Sequence, residues 1–200
     1  GAAQDPEVGP KFMAEVESEV DRLGKMVNDL LDLSRIEADL ESQARADVDL
    51  VQLAEEARDA FSVRAGRAAV SIDVESPRQP ITVKGNESQL RRLIDNLLDN
   101  AIKYTPRDGK VILQISEVGG EVKLIVQDTG VGIPAEELPK IFERFYRGES
   151  PPIHTIPRES SGLGLSIAHS IARAHGGEIV AESERGKGTT IAVLFKTFAR

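Results

Sequence analysis

Near its beginning the chain carries a helical pattern of apolar residues. Between Lys11 and about Glu41 there is no proline, and apolar residues recur at alternating spacings of four and three, at Val16, Val20, Leu23, Val27 and Leu30. This spacing places the apolar side chains on one face and predicts a single long helix. Such a helix cannot bury its apolar face alone, so we expect a helical bundle formed by a dimer. The alternative is that the helix packs against its own domain.

The rest of the chain alternates between helical and strand periodicity. It predicts helices over 50–65, 87–104 and 162–174, a helical turn over 135–138, and strands over 69–74, 81–84, 110–116, 121–127, 178–182 and 189–195. The Gly119-Gly120 pair predicts a hairpin between the third and fourth of these strands. Together these elements indicate an α/β (α+β) protein: a two-layer α/β sandwich with a mixed sheet, preceded by the long bundle helix.

Three polar stretches mark expected loops and a boundary. Residues 39–48 are charged and without period, so we place a domain boundary there, between an N-terminal part over 1–45 and a globular domain over 46–200. Residues 148–161 combine proline, glycine and serine without period and predict a mobile loop. Residues 1–10 are also expected to form a loop.

Charge and composition narrow the function classes. The chain has 200 residues, a net charge of −8 and a pI of about 5.0, which argues against nucleic-acid binding because that calls for a basic face. A nucleotide ligand is still compatible, since a few cations and backbone amides bind phosphates within an acidic protein. The absence of cysteine excludes disulfides and thiolate metal sites. No apolar run reaches the ~18 residues of a membrane span, so we expect no membrane contact by this chain.

Three glycine-bearing loops are the candidate chemistry. The first follows a predicted strand at 128–132, the second opens a predicted helix at 162–165, and the third joins two strands at 186–189. Glycine lets the backbone approach a flat or charged ligand, and a helix start offers free amides to phosphate oxygens. Each loop alone is equally compatible with an ordinary turn. There is no Walker loop and no dinucleotide fingerprint.

The order of these motifs resembles that of the histidine protein kinases, within the superfamily that also holds type II topoisomerases and heat-shock chaperones. The matching segments are Asn96–Thr105 (N box), Asp128–Gly132 (first glycine box), Ile141–Arg147 (F box), Gly162–Leu165 (second glycine box) and Gly186–Thr190 (terminal glycine motif). Residues 21–37 resemble the second helix of the family's dimerisation and phosphotransfer domain. The resemblance covers about residues 12–198 and implies ATP and Mg²⁺ as cofactors.

The resemblance assigns roles to the central motif residues. Asp128 is expected to accept a hydrogen bond from the adenine amino group, which suits a carboxylate because it is only an acceptor. Asn100 is expected to bind Mg²⁺ through its side-chain oxygen, since this cation prefers oxygen and takes most of its ligands from phosphates and water. Asn96 lies one turn earlier on the same helix face.

Other motif residues complete the implied nucleotide site. Lys103 and Tyr104 would meet phosphate and the purine or ribose, although a lysine is more often a solvated helix residue. Arg147 would steady γ-phosphate charge during transfer, with a surface ion pair as the alternative. Asn96, Lys103 and Arg147 are thus the catalytic candidates. Further candidates for nucleotide contact are Gly130, Gly132, Ile133, Gly162, Leu163, Gly164, Leu165 and Thr189.

The F box and the loop after it are expected to form a lid. Phe142, Phe145 and Tyr146 are predicted to pack the base of the lid onto the domain rather than to touch the ligand. Nucleotide binding would order the 148–161 loop and exclude water. Ser160 stands where the family usually has a glycine, which puts the hinging of the lid or the approach of phosphate in question.

The phosphate-accepting motif of the family, a histidine followed by an acidic residue, leucine and arginine, is not in the chain. His154 is expected in the loop, His169 within a helix, and His175 as a favourable charge at a helix C-terminus. We therefore expect the accepting histidine on a preceding helix outside this chain, and no autophosphorylation of this chain alone. The resemblance implies a homodimeric parent anchored in the bacterial inner membrane, with this part in the cytoplasm and a response-regulator receiver domain as partner.

Two other functions compete with a kinase. ATPases of the same superfamily carry a water-activating glutamate four residues before the metal-binding asparagine, and here that position holds Asn96, a poor base. This change favours phosphoryl transfer to a supplied nucleophile. An anti-sigma-like kinase or a degenerate nucleotide-binding module is the other alternative, because intact motifs indicate binding without proving turnover.

Overall fold

The computed structural model describes residues 9–38, 45–148 and 161–196. Within these residues the chain forms four α-helices, seven strands and a short 3₁₀ turn. They are, in chain order, α1 (Gly9–Ala38), β1 (Ala46–Asp49), α2 (Leu50–Ala68), β2 (Ser71–Glu75), β3 (Thr82–Gly85), α3 (Glu87–Tyr104), β4 (Lys110–Val118), β5 (Glu121–Asp128), the 3₁₀ turn (Leu138–Lys140), α4 (Gly164–Ala174), β6 (Glu178–Glu184) and β7 (Gly188–Lys196).

Five of the strands form the main sheet, in the order β2-β4-β5-β7-β6. Strands β2 and β4 run parallel, and the other neighbours are antiparallel. The predicted mixed sheet is therefore confirmed, as is the β4–β5 hairpin around Gly119-Gly120, where Val118 pairs with Glu121. A separate two-stranded ribbon joins β1 and β3 antiparallel.

Helices α2, α3 and α4 contact the main sheet and bury their apolar sides there. In α3 the buried residues recur three and four positions apart, as the sequence pattern predicted: Leu90, Leu93, Ile94, Leu97, Leu98, Ala101 and Ile102. The central strands present every second residue to these helices, including Val111, Leu113 and Ile115 of β4. One helical layer on one sheet confirms the predicted two-layer α/β sandwich.

Side-chain caps fix where the two long domain helices begin. The Asp49 carboxylate accepts the Val51 N–H at 2.9 Å at the start of α2. The Asn86 side chain accepts the Gln89 N–H at 3.1 Å at the start of α3. Such caps satisfy amides that lack a partner within the helix. The caps therefore set where α2 and α3 begin, and the buried apolar side of α3 sets which side chains face the sheet.

The long N-terminal helix was predicted correctly, and most of its apolar face is exposed. Val20 is 61% exposed and Val27 is 56% exposed, whereas Leu33 and Ile36 near the C-terminal end belong to the hydrophobic core. The last turns of α1 therefore pack against the chain's own domain, on α4, while the apolar face of its N-terminal part is exposed. None of the described helices combines the length and apolar character needed to cross a membrane.

Several boundaries differ from the sequence-based prediction. Helix α1 begins at Gly9, inside the expected N-terminal loop, and β1 overlaps the end of the predicted boundary at 39–48. Helix α4 begins at Gly164 rather than 162, and the helical turn lies at Leu138–Lys140 rather than 135–138. The predicted loop at 148–161, apart from its two end residues, lies outside the described residues, and so do Ser160 and His154.

Candidate functional site

A cavity of about 320 Å³ opens between α3, the loop after β5 and the start of α4. Twelve of the fourteen nucleotide-contact candidates line it: Asn96, Asn100, Lys103, Tyr104, Asp128, Gly132, Ile133, Arg147, Gly162, Gly164, Leu165 and Thr189. The other two, Gly130 and Leu163, lie beside it. Leu163 is completely buried in the core, so its side chain anchors the start of α4. The fold thus brings residues from all five motifs to one place.

Helix α3 forms one wall of this cavity. Its apolar face is buried, and Asn96, Asn100 and Lys103 lie four and three residues apart on the neighbouring face, so all three line the cavity. The Asn96 Nδ2 group is buried and has no hydrogen-bond partner among the described residues. A buried donor without a partner costs stability. The Asn96 Nδ2 group can therefore donate a hydrogen bond to a ligand with an acceptor oxygen.

The start of α4 faces this wall and carries no side chain at the point of closest approach. A Cβ at Gly164 would lie 3.4 Å from Asn96 Oδ1 and 3.6 Å from Asn100 Nδ2. Any larger group would narrow the space between the two asparagines and the first turn of α4. Because the first amides of a helix lack partners within the helix and carry partial positive charge, this is a favourable place for phosphate oxygens.

Asp128, the last residue of β5, also lines the cavity. It is 9% exposed, and its Oδ1 accepts the Gly130 N–H at 2.8 Å and the Thr189 N–H at 3.1 Å. Burial raises the pKa of this carboxyl, and the two backbone hydrogen bonds oppose the rise. Both bonds end on Oδ1, so Oδ2 accepts no hydrogen bond from the described residues and can serve a ligand donor.

Two glycines allow the backbone to close tightly around Asp128. Gly132 has φ +67°, and a Cβ there would lie 2.0 Å from the Glu184 carbonyl oxygen. Gly188 has φ +98°, and a Cβ there would lie 2.0 Å from the Asp128 carbonyl oxygen. Any side chain at these positions would push the loop after β5 away from the β6–β7 turn, and the end of the cavity would lose its shape.

The F box gives a mixed result. Phe142 is partly buried against the core, and its ring centroid lies 5.5 Å from that of His169 in α4, as expected of a packing anchor. Phe145 is 50% exposed with φ +62°, so the prediction that it packs onto the domain is wrong. Its N–H donates to the Gly162 carbonyl oxygen at 3.0 Å, which holds the backbone there. Tyr146 lines the cavity rather than only packing beneath it.

Comparison with known proteins assigns the chain to one family. The profile of the family described as "Histidine kinase-, DNA gyrase B-, and HSP90-like ATPase" matches residues 85–198, more than half of the chain. The chain belongs to this family. Sensor histidine kinase WalK of Bacillus subtilis is 34% identical over 194 residues, which cover 96% of this chain and 31% of WalK. The sensor-like histidine kinase SenX3 of Mycobacterium tuberculosis is 33% identical and covers 94% of this chain and 45% of its own length.

Solved structures show the same fold of the ATPase family. Full-length ShkA in complex with AMPPNP superposes with a TM-score of 0.77 at 28% identity, covering 98% of this chain and 40% of ShkA. The mycobacterial sensor histidine kinase MprB gives 0.64 at 30% identity, covering 76% of this chain and 97% of the MprB chain. The expected resemblance to sensor histidine kinases is confirmed. The chain spans about a third to a half of the curated relatives.

The ATPase-family cavity also has a wall residue from α1 that the sequence did not suggest. Asp29 is 6% exposed and lines the cavity. Its carboxylate accepts from Arg92 of α3 at 2.8 Å and from the Ser161 hydroxyl at 3.1 Å, and Arg92 also bonds Asp32. Ser161 in turn accepts the Leu163 N–H at 3.3 Å. The long helix is thus connected to the start of α4.

His175 does not act as the expected positive charge at the end of α4. It is half-buried; Nδ1–H donates to the Ile171 carbonyl oxygen at 2.8 Å, and Nε2 accepts the Asn86 N–H at 3.0 Å. Burial lowers the pKa of His175, and Arg45 lowers it further, against the raising effect of the Ile171 bond. The neutral ring therefore links the end of α4 to the start of α3, because a protonated Nε2 could not accept that bond.

Proposed function

We propose that this chain binds Mg²⁺-ATP in the cavity and that the whole protein is an ATP-dependent protein-histidine kinase. The γ-phosphate would pass to a histidine on a helix outside this chain and then to an aspartate of a response-regulator receiver domain. The observation that carries the proposal is that Asp128 lines the same cavity as Asn96, Asn100 and Gly164, and that Gly164 lies next to both asparagines.

The residues present fit a magnesium ion that a nucleotide brings with it. The described residues contain no group of three or more His, Cys, Asp or Glu that could hold a metal by themselves. Asn100 lines the cavity and would offer one amide oxygen, which suits a cation that takes most of its ligands from phosphates and water. When bound, Mg²⁺ would neutralise phosphate charge next to Asn100.

The remaining groups divide between the two ends of the nucleotide. Asp128 Oδ2 would accept from the adenine amino group, and Asn96 Nδ2 would donate to a phosphate oxygen, which would satisfy its unpaired hydrogen-bonding capacity. Lys103, Arg147 and the start of α4 would stabilise negative charge on the phosphates. Asn96 occupies the position of a water-activating glutamate and cannot accept a proton at neutral pH. The site therefore favours transfer to a supplied nucleophile over hydrolysis.

The wider context of the whole protein follows from its relatives. The matched curated proteins are named as sensor kinases, and the unburied apolar face of α1 calls for further helices. We infer a homodimeric parent, joined through that helical bundle and anchored in the bacterial inner membrane, with this part on the cytoplasmic side. The domain division at residue 45 is part of the same proposal.

The test separates binding from transfer. The purified chain, incubated with γ-labelled ATP and Mg²⁺, should acquire no acid-labile phosphate, whereas a longer chain of the same protein with the preceding helix should acquire it on a histidine of that helix. The longer chain with Asp128→Asn should be labelled more slowly at limiting ATP. Label on His154, His169 or His175, or steady phosphate release without labelling of the longer chain, would contradict the proposal.

A further inference from the structure

Ser183 on β6 contacts three groups at the Asp128 end of the cavity. Its Oγ lies 2.8 Å from the Ile133 backbone nitrogen, 2.8 Å from the Gly188 carbonyl oxygen and 3.0 Å from Thr189 Oγ1. It therefore connects the loop after β5 to the first residues of β7. Ser183 does not itself line the cavity, whereas Thr189 and Ile133 do.

The direction of each of these bonds follows from counting protons. A serine hydroxyl has one proton to donate and two lone pairs that accept. The Gly188 carbonyl only accepts, so the Ser183 proton is committed to it. The Ile133 N–H only donates and occupies one lone pair. The remaining lone pair faces Thr189, so the Thr189 hydroxyl must be the donor in their contact.

Thr189 therefore presents only acceptor capacity to the cavity. Its hydroxyl proton points at Ser183, and its backbone N–H donates to Asp128 Oδ1. Neighbouring backbone donors are also used within the protein: the Gly130 N–H on Asp128, the Val131 N–H on the Tyr104 carbonyl oxygen, and the Ile133 N–H on Ser183. The two side chains at this end offer a ligand the lone pairs of Asp128 Oδ2 and Thr189 Oγ1.

We propose that Ser183 is a positioning residue for base selection: it fixes the Thr189 hydroxyl as an acceptor and thereby makes this end of the cavity prefer a 6-amino purine over a 6-oxo purine. The inference rests on the proposed binding of a purine nucleotide at Asp128. A 6-amino group donates to these acceptors. A 6-carbonyl places a third acceptor against them, and neither of the two side chains has a donor to pair with it.

The test is the ratio of affinities for ATP and inosine triphosphate, measured by calorimetry with Mg²⁺. In Ser183→Ala the Thr189 hydroxyl loses its acceptor and can turn its proton toward the base, so we expect the ratio to fall about tenfold, the scale of one hydrogen bond. Ser183→Thr keeps the hydroxyl and should keep the ratio. Equal weakening of both nucleotides in Ser183→Ala would mean a purely structural role and would overturn the proposal.

Thr189→Val supplies a second route to the same answer, even where Ser183→Ala does not fold. Removing the hydroxyl from a side chain of the same shape should also lower the ratio, and adding Ser183→Ala to it should produce no further change, because Ser183 acts through Thr189. An unchanged ratio in Thr189→Val, or a further fall in the double variant, would overturn the proposal. Failure of the unmodified chain to bind either nucleotide would instead contradict the proposed function.

Discussion

Replacing Asp128 with asparagine changes one oxygen of the cavity into an NH₂ group and leaves the surrounding loops intact. The asparagine Oδ1 can still accept the Gly130 and Thr189 N–H groups that Asp128 Oδ1 accepts at 2.8 and 3.1 Å. The group that replaces Oδ2 is a donor, and it would face the adenine amino group, which is also a donor. The variant therefore removes one ligand contact without removing the internal ones.

The magnitude follows from the kind of bond that is lost. A hydrogen bond to a charged acceptor contributes about 1–3 kcal/mol, so we expect the affinity for ATP to fall about 5- to 150-fold. Inosine triphosphate, whose 6-carbonyl accepts from the new NH₂ group, should gain affinity relative to ATP. Calorimetry with both nucleotides gives the two values. Asp59→Asn, an exposed carboxylate on α2, is the matched control and should leave both affinities unchanged.

Stability distinguishes a lost contact from a damaged fold. Because burial raises the pKa of folded Asp128 above its usual value of 3.8, the folded chain holds more protons than the unfolded chain as pH rises past that value, and stability falls there. Asp128→Asn has no buried charge at this position, so its unfolding midpoint at neutral pH should match or exceed that of the unmodified chain. Unchanged ATP affinity in a folded variant would remove Asp128 from the base site and refute the reasoning.

The remaining predictions concern the scaffold around the site, and urea unfolding measures each of them. Gly188→Ala should lower the free energy of unfolding by about 3–5 kcal/mol, because the new side chain is both strained and overlapping. Gly119→Ala, with φ +64° and no atom within 4 Å of the added Cβ, should lower it by only about 1–2 kcal/mol. Equal losses in the two variants would contradict the close backbone approach at Gly188. The pKa of folded His175 lies below its usual 6.5, so the free energy of unfolding should fall as pH falls through about 6.5. His175→Gln should reduce this loss. If the unmodified chain and the variant show the same dependence of stability on pH, the neutral ring is contradicted. Arg92→Gln removes the shared partner of Asp29 and Asp32 on α1 and should lower the free energy of unfolding by about 1–3 kcal/mol. Arg58→Gln on the surface of α2 is the control and should have little effect. An Arg92→Gln variant of unchanged stability would show that α1 does not dock as described.

Much of this architecture could be predicted because its signals are local. The buried face of α3 repeats every three to four residues, and its cavity face carries Asn96 and Asn100 one turn apart. Helix periodicity alone therefore places both asparagines together. The glycine loops were recognisable by their order along the chain. The glycines at 132 and 188 combine positive φ with backbone atoms 2.0 Å from an added Cβ, so a side chain there would be both strained and overlapping.

The features that the sequence did not indicate depend on distant pairings. Strand β1 has only four residues, too few for a clear alternation, and it is fixed by pairing with β3. Ser183 meets Thr189 because the β6–β7 register places them opposite each other. Asp29 reaches Ser161 across 132 positions, and His175 reaches Asn86 across 89. The prediction of a charged His175 was wrong because position in a helix does not indicate that the ring is buried or that the Asn86 N–H donates to it.

The most direct test of the account is a calorimetric titration of the purified chain with a non-hydrolysable ATP analogue, with and without Mg²⁺. We predict binding to a single site that is tighter with Mg²⁺ and weaker in Asp128→Asn. No detectable binding at millimolar Mg²⁺, or binding that is insensitive to both the ion and the substitution, would contradict an adenine nucleotide site between α3 and α4.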